Sequence, residues 1–172
     1  MLEFFADKKQ QPMDRATLIH GDFKIDNMIF HPTEARVIGI LDWEMATIGH
    51  PLSDLVNLTS PYVIQEHNTK TAMSSERKFV QESYPGLPFR SQTIEWYAAV
   101  SGYDPTEDLT WGDAFHGLRT SAITQGIAAR YALRQASSAR AKEYGESSGP
   151  LAAMAWTLVL QRKQGKQAKS NL

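Results

Sequence analysis

The chain has no cysteine among its 172 residues, which excludes disulfide frameworks, thiolate nucleophiles, cysteine-held zinc and thiolate-held iron–sulfur clusters. No apolar run approaches the 18 or so residues that a membrane span needs, and the mean hydropathy is −0.38. There is no internal repeat. The opening MLEFFADKKQQPMDRATL has no basic start followed by an apolar stretch, so it does not read as a secretory signal. A dense basic run is also missing. Met1 to Ala129 holds ten Lys/Arg against seventeen Asp/Glu, and Arg130 to Leu172 holds eight against two. Those eight are spread out with little aromatic interleaving, which argues against nucleic acid as a partner. What remains is 42% hydrophobic and 22% charged residues, the balance of a folded globular chain with one core.

The polar punctuation and apolar spacing divide that chain unevenly. Ala16-Thr-Leu-Ile-His20 reads as a short strand that ends in a polar cluster. Asn27–His31 and Arg36–Leu41 are β-rich runs around a hairpin-sized Pro-Thr-Glu-Ala loop. Gly49-His-Pro51 breaks the chain, and Pro51 to Asn57 can open a helix. Beyond it the pattern is helical. A polar stretch runs over Thr69–Ser83, and a helix over Ser91–Ser101 is closed by Gly102. The strongest helix spans about Thr110–Gln135, with Trp111, Phe115, Leu118, Ala122, Gly126, Ala129 and Leu133 as the expected core stripe. Ser137–Gly149 reads as a loop, Pro150 to about Gln161 as a last apolar helix, and residues 164–172 as a flexible basic tail.

The chemistry concentrates in His20-Gly-Asp-Phe-Lys-Ile-Asp-Asn27. A strand followed by a His-Gly-Asp turn gathers several polar groups. Asp22 can accept a proton from a hydroxyl, Lys24 can neutralise an anion, and Asn27 offers a carbonyl oxygen to a hard cation. Across the hairpin, Asp42 ends the run Val-Ile-Gly-Ile-Leu. Asn27 and Asp42 together make the sparse oxygen site that Mg²⁺ prefers, with water and phosphate completing it. A metallohydrolase built from His20, Asp22, Asp26 and Asp42 is the competing arrangement, and it would need further histidines on neighbouring elements. His31, His50, His67 and His116 have no metal-ligand spacing.

His20-x-Asp22-x-x-x-x-Asn27 resembles the catalytic loop of the protein-kinase-like superfamily. Gly21, Leu41-Asp-Trp-Glu44 and Thr47-Ile-Gly-His-Pro-Leu-Ser-Asp-Leu55 resemble its aminoglycoside phosphotransferase and choline kinase branch. The similarity is greatest to the phosphotransferase domain associated with acyl-CoA dehydrogenases, which also has a counterpart of Thr124-Gln-Gly-Ile127. The resemblance implies an α+β, mainly α fold: a kinase-like large lobe over residues 1–163, with a small β-hairpin at the metal site. It implies an ATP-dependent phosphotransferase, a small-molecule kinase moving the γ-phosphate to a hydroxyl. Asp22 would take or orient the hydroxyl proton, and Asn27 and Asp42 would hold Mg²⁺ against the phosphates of ATP. Lys24 would contact the transferred phosphate, and His20 would brace the loop. Asp54 would anchor the loop backbone and Glu44 would support the metal site through water.

The same resemblance exposes what the sequence lacks. No G-x-G-x-x-G loop and no V-A-I-K-like strand occurs, and only nineteen residues precede His20. The small N-terminal lobe is therefore expected to be absent, and the isolated chain to transfer little or no phosphate. Two readings stay open: the large lobe of a longer enzyme, or a non-catalytic lobe that acts as a binding module. The implied acceptor is a small-molecule hydroxyl of the hydroxyacyl-CoA type, and the implied associates are an acyl-CoA or an acyl-CoA dehydrogenase. The expected location is cytoplasmic, or peroxisomal if Ser170-Asn171-Leu172 is read like the targeting tripeptide S-K-L.

Overall fold

The computed structural model describes residues 1–71 and 84–170. It is mainly helical, with four short strands and six α-helices among the described residues, and it divides into two compact units. One unit, Pro12–Leu109, holds all four strands. The other is formed by Met1–Gln11 and Thr110–Leu172.

In the strand-bearing unit, β1 (Thr17–Ile19) pairs antiparallel with β4 (Thr47–Gly49), with Leu18 opposite Ile48. Between them in sequence, β2 (Met28–Phe30) and β3 (Val37–Ile40) form a second antiparallel ribbon, Met28 opposite Ile40, with a bulge between Ile29 and Phe30. The hairpin falls where the two β-rich runs and their Pro-Thr-Glu-Ala loop put it, but β4 was not expected, because Thr-Ile-Gly is too short to show a period. Both ribbons stay largely uncovered: Phe30 is 54% exposed, Ile38 49% and Leu18 67%.

Helix α2 (Leu52–Thr71) begins where Pro51 predicts and runs far past Asn57. The His50 ring starts it, its Nδ1 accepting the Leu52 N–H at 3.1 Å. Pro61 lies inside the helix and has no N–H to give the carbonyl of Asn57. The Ser60 hydroxyl donates to that carbonyl instead, at 2.9 Å. Leu52, Leu55, Val56, Thr59 and Val63 form its buried face. The polar stretch expected over Thr69–Ser83 lies, beyond Thr71, outside the described residues. Helix α3 (Arg90–Ser101) matches its predicted span and closes on Gly102 at φ +68°.

The other unit contradicts one expectation. Helix α4 (Leu109–Ala132) is where the periodicity puts it, but of the predicted stripe Trp111 and Leu118 are half-buried against the core and no member is fully buried. Phe115 and Leu133 are 44% and 67% exposed, and Ala122 and Ala129 are exposed as well. The buried residues are Gly112, Asp113, Ala114, His116, Gly117, Ser121 and Thr124. The reason is close approach. A Cβ on Gly117 would lie 3.1 Å from Met154 Cε and 3.2 Å from Ala155 Cβ of α6 (Ser148–Ser170). The hydroxyls buried there are satisfied locally. Ser121 Oγ donates to the Ser148 carbonyl at 2.9 Å, Ser148 Oγ to that of Ser121 at 3.0 Å, and Thr124 Oγ1 to that of Thr120 at 3.0 Å. With their polarity absorbed, small polar residues allow closer packing than the large apolar ones.

Two further elements went unpredicted. Helix α1 (Leu2–Ala6) buries Phe4 and Phe5 with Ala114 and Val159, and Phe5 meets Trp111 edge-on at 5.6 Å. Helix α5 (Ala141–Glu146) interrupts the expected loop, where Gly145 passes so near Ala128 that a Cβ would be 2.9 Å from its methyl. Helix α6 begins at Ser148 and extends past the expected end near Gln161 to Ser170. Asn171 and Leu172 of the C-terminal tripeptide lie outside the described residues.

Candidate active site

Residues 20–27 leave β1 as a tight turn and end in a single 3-10 turn at Ile25–Asn27. Gly21 makes this possible. Its φ of +85° is open to glycine at no steric cost, and a Cβ there would sit 2.5 Å from the Met45 carbonyl oxygen. From α2, the Asp54 carboxylate accepts two backbone N–H groups of this turn, those of His20 at 2.7 Å and Gly21 at 3.0 Å.

The buried His20 ring has its tautomer fixed by its partners. Nε2 lies 2.7 Å from the Leu41 carbonyl, which can only accept, while Nδ1 accepts the Asp22 N–H at 3.3 Å. The ring is therefore protonated at Nε2 alone. It links the turn to the end of β3 and packs against Trp43 at 4.7 Å and Phe23 at 5.9 Å.

Asp22 gathers the cluster. Its Oδ2 accepts from Lys24 Nζ at 2.6 Å and from Asn27 Nδ2 at 3.3 Å, and its carbonyl accepts from the same Asn27 Nδ2 at 2.9 Å. Among the described residues, its Oδ1 receives Asn57 Nδ2 alone, at 3.4 Å. Burial raises the Asp22 carboxyl pKa. The Lys24 ammonium, by hydrogen bond and by charge, and the amides of Asn57 and Asn27 outweigh it, so the group lies below the ordinary carboxylate value. Asp22 is thus ionised at neutral pH.

On the hairpin side, Leu41 N–H donates to the Asn27 carbonyl at 2.8 Å, bringing Asp42 next to the cluster along the chain. Asp42 adopts φ +67°, ψ +50°, the left-handed region that costs a side-chain-bearing residue about 1–3 kcal/mol. Trp43 Nε1 reaches back over this bend to the Ile40 carbonyl at 2.8 Å. Asp42 is exposed and its carboxylate has no partner among the described residues. Asn27 directs its Nδ2 to Asp22, which leaves Oδ1 as the atom still able to ligate. Two uncommitted oxygens, one carboxylate and one amide, suit the few-ligand chemistry of Mg²⁺. The described residues contain no group of three His, Asp or Glu placed to hold a metal, so the metallohydrolase arrangement has no support.

The structure therefore brings His20, Asp22, Lys24, Asn27 and Asp54 into one hydrogen-bonded network, with Asp42 beside it. Glu44 is exposed, in the 3-10 turn Trp43–Met45, and bonds to none of them. Sequence reasoning missed Asn57, whose Nδ2 also donates to the Phe23 carbonyl at 3.0 Å. Its one signal was its place three residues after Asp54, on the same helix face. A cleft of about 610 Å³ is lined by Arg15, Leu18, Trp43, Leu58, Tyr97 and Tyr103, together with His20 and Asp54. Asp22, Asn27 and Asp42 are not among the residues that line it.

The profile of the Phosphotransferase enzyme family matches residues 2–77, the segment that holds this whole network. This is a phosphotransferase-family domain. A solved structure from Ralstonia eutropha JMP134, described provisionally as an aminoglycoside phosphotransferase, superposes with a TM-score of 0.66 at 30% identity, over 85% of this chain and 43% of that one. The domain thus has the protein-kinase-like fold. It is also similar to acyl-CoA dehydrogenase family member 11 of Gallus gallus, 37% identical over 156 residues that make 88% of this chain and 19% of that protein. Family member 10 of Mus musculus is 34% identical over 144 residues, 83% of this chain and 13% of the other. The phosphotransferase domain described here thus spans less than a fifth of the length of these two relatives. None of its described helices is long and apolar enough to cross a membrane.

Proposed function

We propose that this domain supplies the catalytic loop of an ATP-dependent small-molecule kinase, with Asp22 as the group that accepts or orients the acceptor proton. The observation that carries the reading is the Asp22 cluster: an ionised carboxylate held by one ammonium and two amides on a loop anchored through Asp54. Phosphoryl transfer asks a protein mainly for position and neutralised charge, and this cluster supports both. Lys24, half exposed, is the cation able to turn from Asp22 towards a phosphate. Asn27 and Asp42 are the residues that would hold Mg²⁺, which when bound neutralises charge on the nucleotide phosphates. His20 and Asp54 act on the loop, not on substrate. Glu44, exposed beside Asp42, could reach the metal site only through water.

The relatives are named as acyl-CoA dehydrogenase family members, which favours a hydroxyacyl-CoA-type acceptor over an aminoglycoside. The test is transfer of γ-phosphate from Mg²⁺-ATP to a hydroxyacyl-CoA panel and to kanamycin. It is run on the 172-residue chain and on longer polypeptides that contain it. Asp22→Asn is expected to lower transfer by about a thousand-fold or more while keeping ATP binding. Undiminished turnover in that variant removes the role given to Asp22, and preference for kanamycin reverses the acceptor.

A further inference from the structure

We propose that Asn57 is a positioning residue for Asp22: it fixes the rotation of the carboxylate so that Oδ2 is committed to Lys24 and Asn27 while Oδ1 is the oxygen presented to the acceptor hydroxyl. The role assigned to Oδ1 rests on the phosphotransfer reading; the contact between the two side chains does not.

Three observations carry it. The two carboxylate oxygens are unequally engaged. Oδ2 has an ammonium at 2.6 Å and an amide at 3.3 Å, whereas Oδ1 has one amide at 3.4 Å. A contact that long is weak, so Oδ1 keeps its capacity for a short bond from a hydroxyl. The same Asn57 Nδ2 makes its firmer bond, 3.0 Å, to the Phe23 carbonyl. One amide nitrogen thus grips the backbone after Asp22 and touches the side chain of Asp22 itself, which couples carboxylate rotation to the course of the loop. Finally, Asn57 sits one helical turn after Asp54, whose carboxylate holds the N–H groups of His20 and Gly21. The loop is therefore clamped on both sides of Asp22 from one rigid element. At that turn the Asn57 carbonyl, denied its helical partner by Pro61, is taken by Ser60 Oγ.

A merely structural asparagine would hold Phe23 and be indifferent to the charge on Asp22. The experiment separates the two on the 172-residue chain without requiring activity. Carboxyl ¹³C resonances and side-chain amide ¹⁵N–¹H resonances are followed through an acid titration. In the wild type, the Asn57 amide protons are expected to shift with the midpoint of Asp22. In Asn57→Leu the Asp22 midpoint is expected to rise, because an amide donor to the ionised carboxylate is lost, with partial return in Asn57→Gln. Asn57 amide protons blind to the Asp22 titration overturn the proposal, and this arm needs no variant to fold. So does an unmoved Asp22 midpoint in folded Asn57→Leu.

Where a form of the protein transfers phosphate, Asn57→Leu is expected to lower kcat about ten- to hundred-fold with the KM for ATP unchanged. Full kcat in that variant overturns the positioning role and leaves phosphotransfer standing. Titration coupling in a protein that transfers phosphate in no form overturns the presentation of Oδ1 to an acceptor, together with the phosphotransfer reading.

Discussion

The two stretches that meet at the site, residues 20–27 and residues 41–45, are built on opposite terms. The first is held almost everywhere by protein. His20, Asp22 and Asn27 direct most of their polar atoms to one another, to α2 or to the backbone of Leu41, and Asp54 closes the turn. The second is bent at Asp42 into a left-handed conformation, with an exposed carboxylate that nothing in the described protein engages. One stretch is finished by folding, while the other holds a strained acid in place without using it. That difference separates a stretch whose residues are held by one another from an acid that the described protein leaves unengaged, and a single amino-acid change can test it on either side.

The largest effect is expected on the finished side. Gly21→Ala sets a Cβ against a backbone oxygen at a positive φ, and a loss of roughly 3 kcal/mol or more by urea denaturation is expected. A loss under about 1 kcal/mol would show that the turn is far less constrained than it looks. Asp54→Ala leaves two N–H groups of the turn without their acceptor and should cost about 2–3 kcal/mol, read in the same way.

On the unengaged side the sign reverses. Asp42→Gly removes the left-handed penalty and should leave stability unchanged or raise it by up to about 1 kcal/mol, while binding of Mn²⁺, used as a spectroscopic substitute for Mg²⁺, is lost. Marked destabilisation would mean that the carboxylate has a folding partner, and the contrast would collapse.

The smallest effect concerns Lys24. Because the Asp22 pKa is lowered in the folded protein, the cluster's contribution is present above the ordinary carboxylate pKa of about 3.9 and is lost as pH falls through the lower folded value. The stability difference between wild type and Lys24→Met should therefore be modest near pH 7 and vanish in acid. A difference that grows in acid would contradict the ion pair.

The hydrogen-bonded cluster around Asp22 was legible in the sequence because it is made of polar residue types at short spacing: His20, Asp22, Lys24 and Asn27 fall within eight consecutive positions. Asp42 was legible because it terminates an apolar run. Asn57 was not, since an asparagine inside a helix shows no period and its partners lie 34 and 35 positions earlier. The buried face of α4 was misread for a related reason. Hydrophobic spacing marks large side chains, whereas Gly117, Ser121 and Thr124 are buried by close approach and by hydroxyl bonds whose acceptors lie on backbone. Helix α1 and strand β4 are each under six residues, too short for any periodicity to announce them.

The two ribbons of the strand-bearing unit have two strands each, so each leaves two edges whose N–H and C=O groups can still pair. Along the β2–β3 ribbon those edges are flanked by Ile29, Phe30, Val37 and Ile38, all more than 40% exposed. Such a surface is a template for strand addition between molecules. Because the attraction is hydrophobic, it strengthens on warming from the cold and in sulfate. Colloidal behaviour of the 172-residue chain is thereby set by its least covered hairpin, and its solutions should become turbid on warming well before the helices melt.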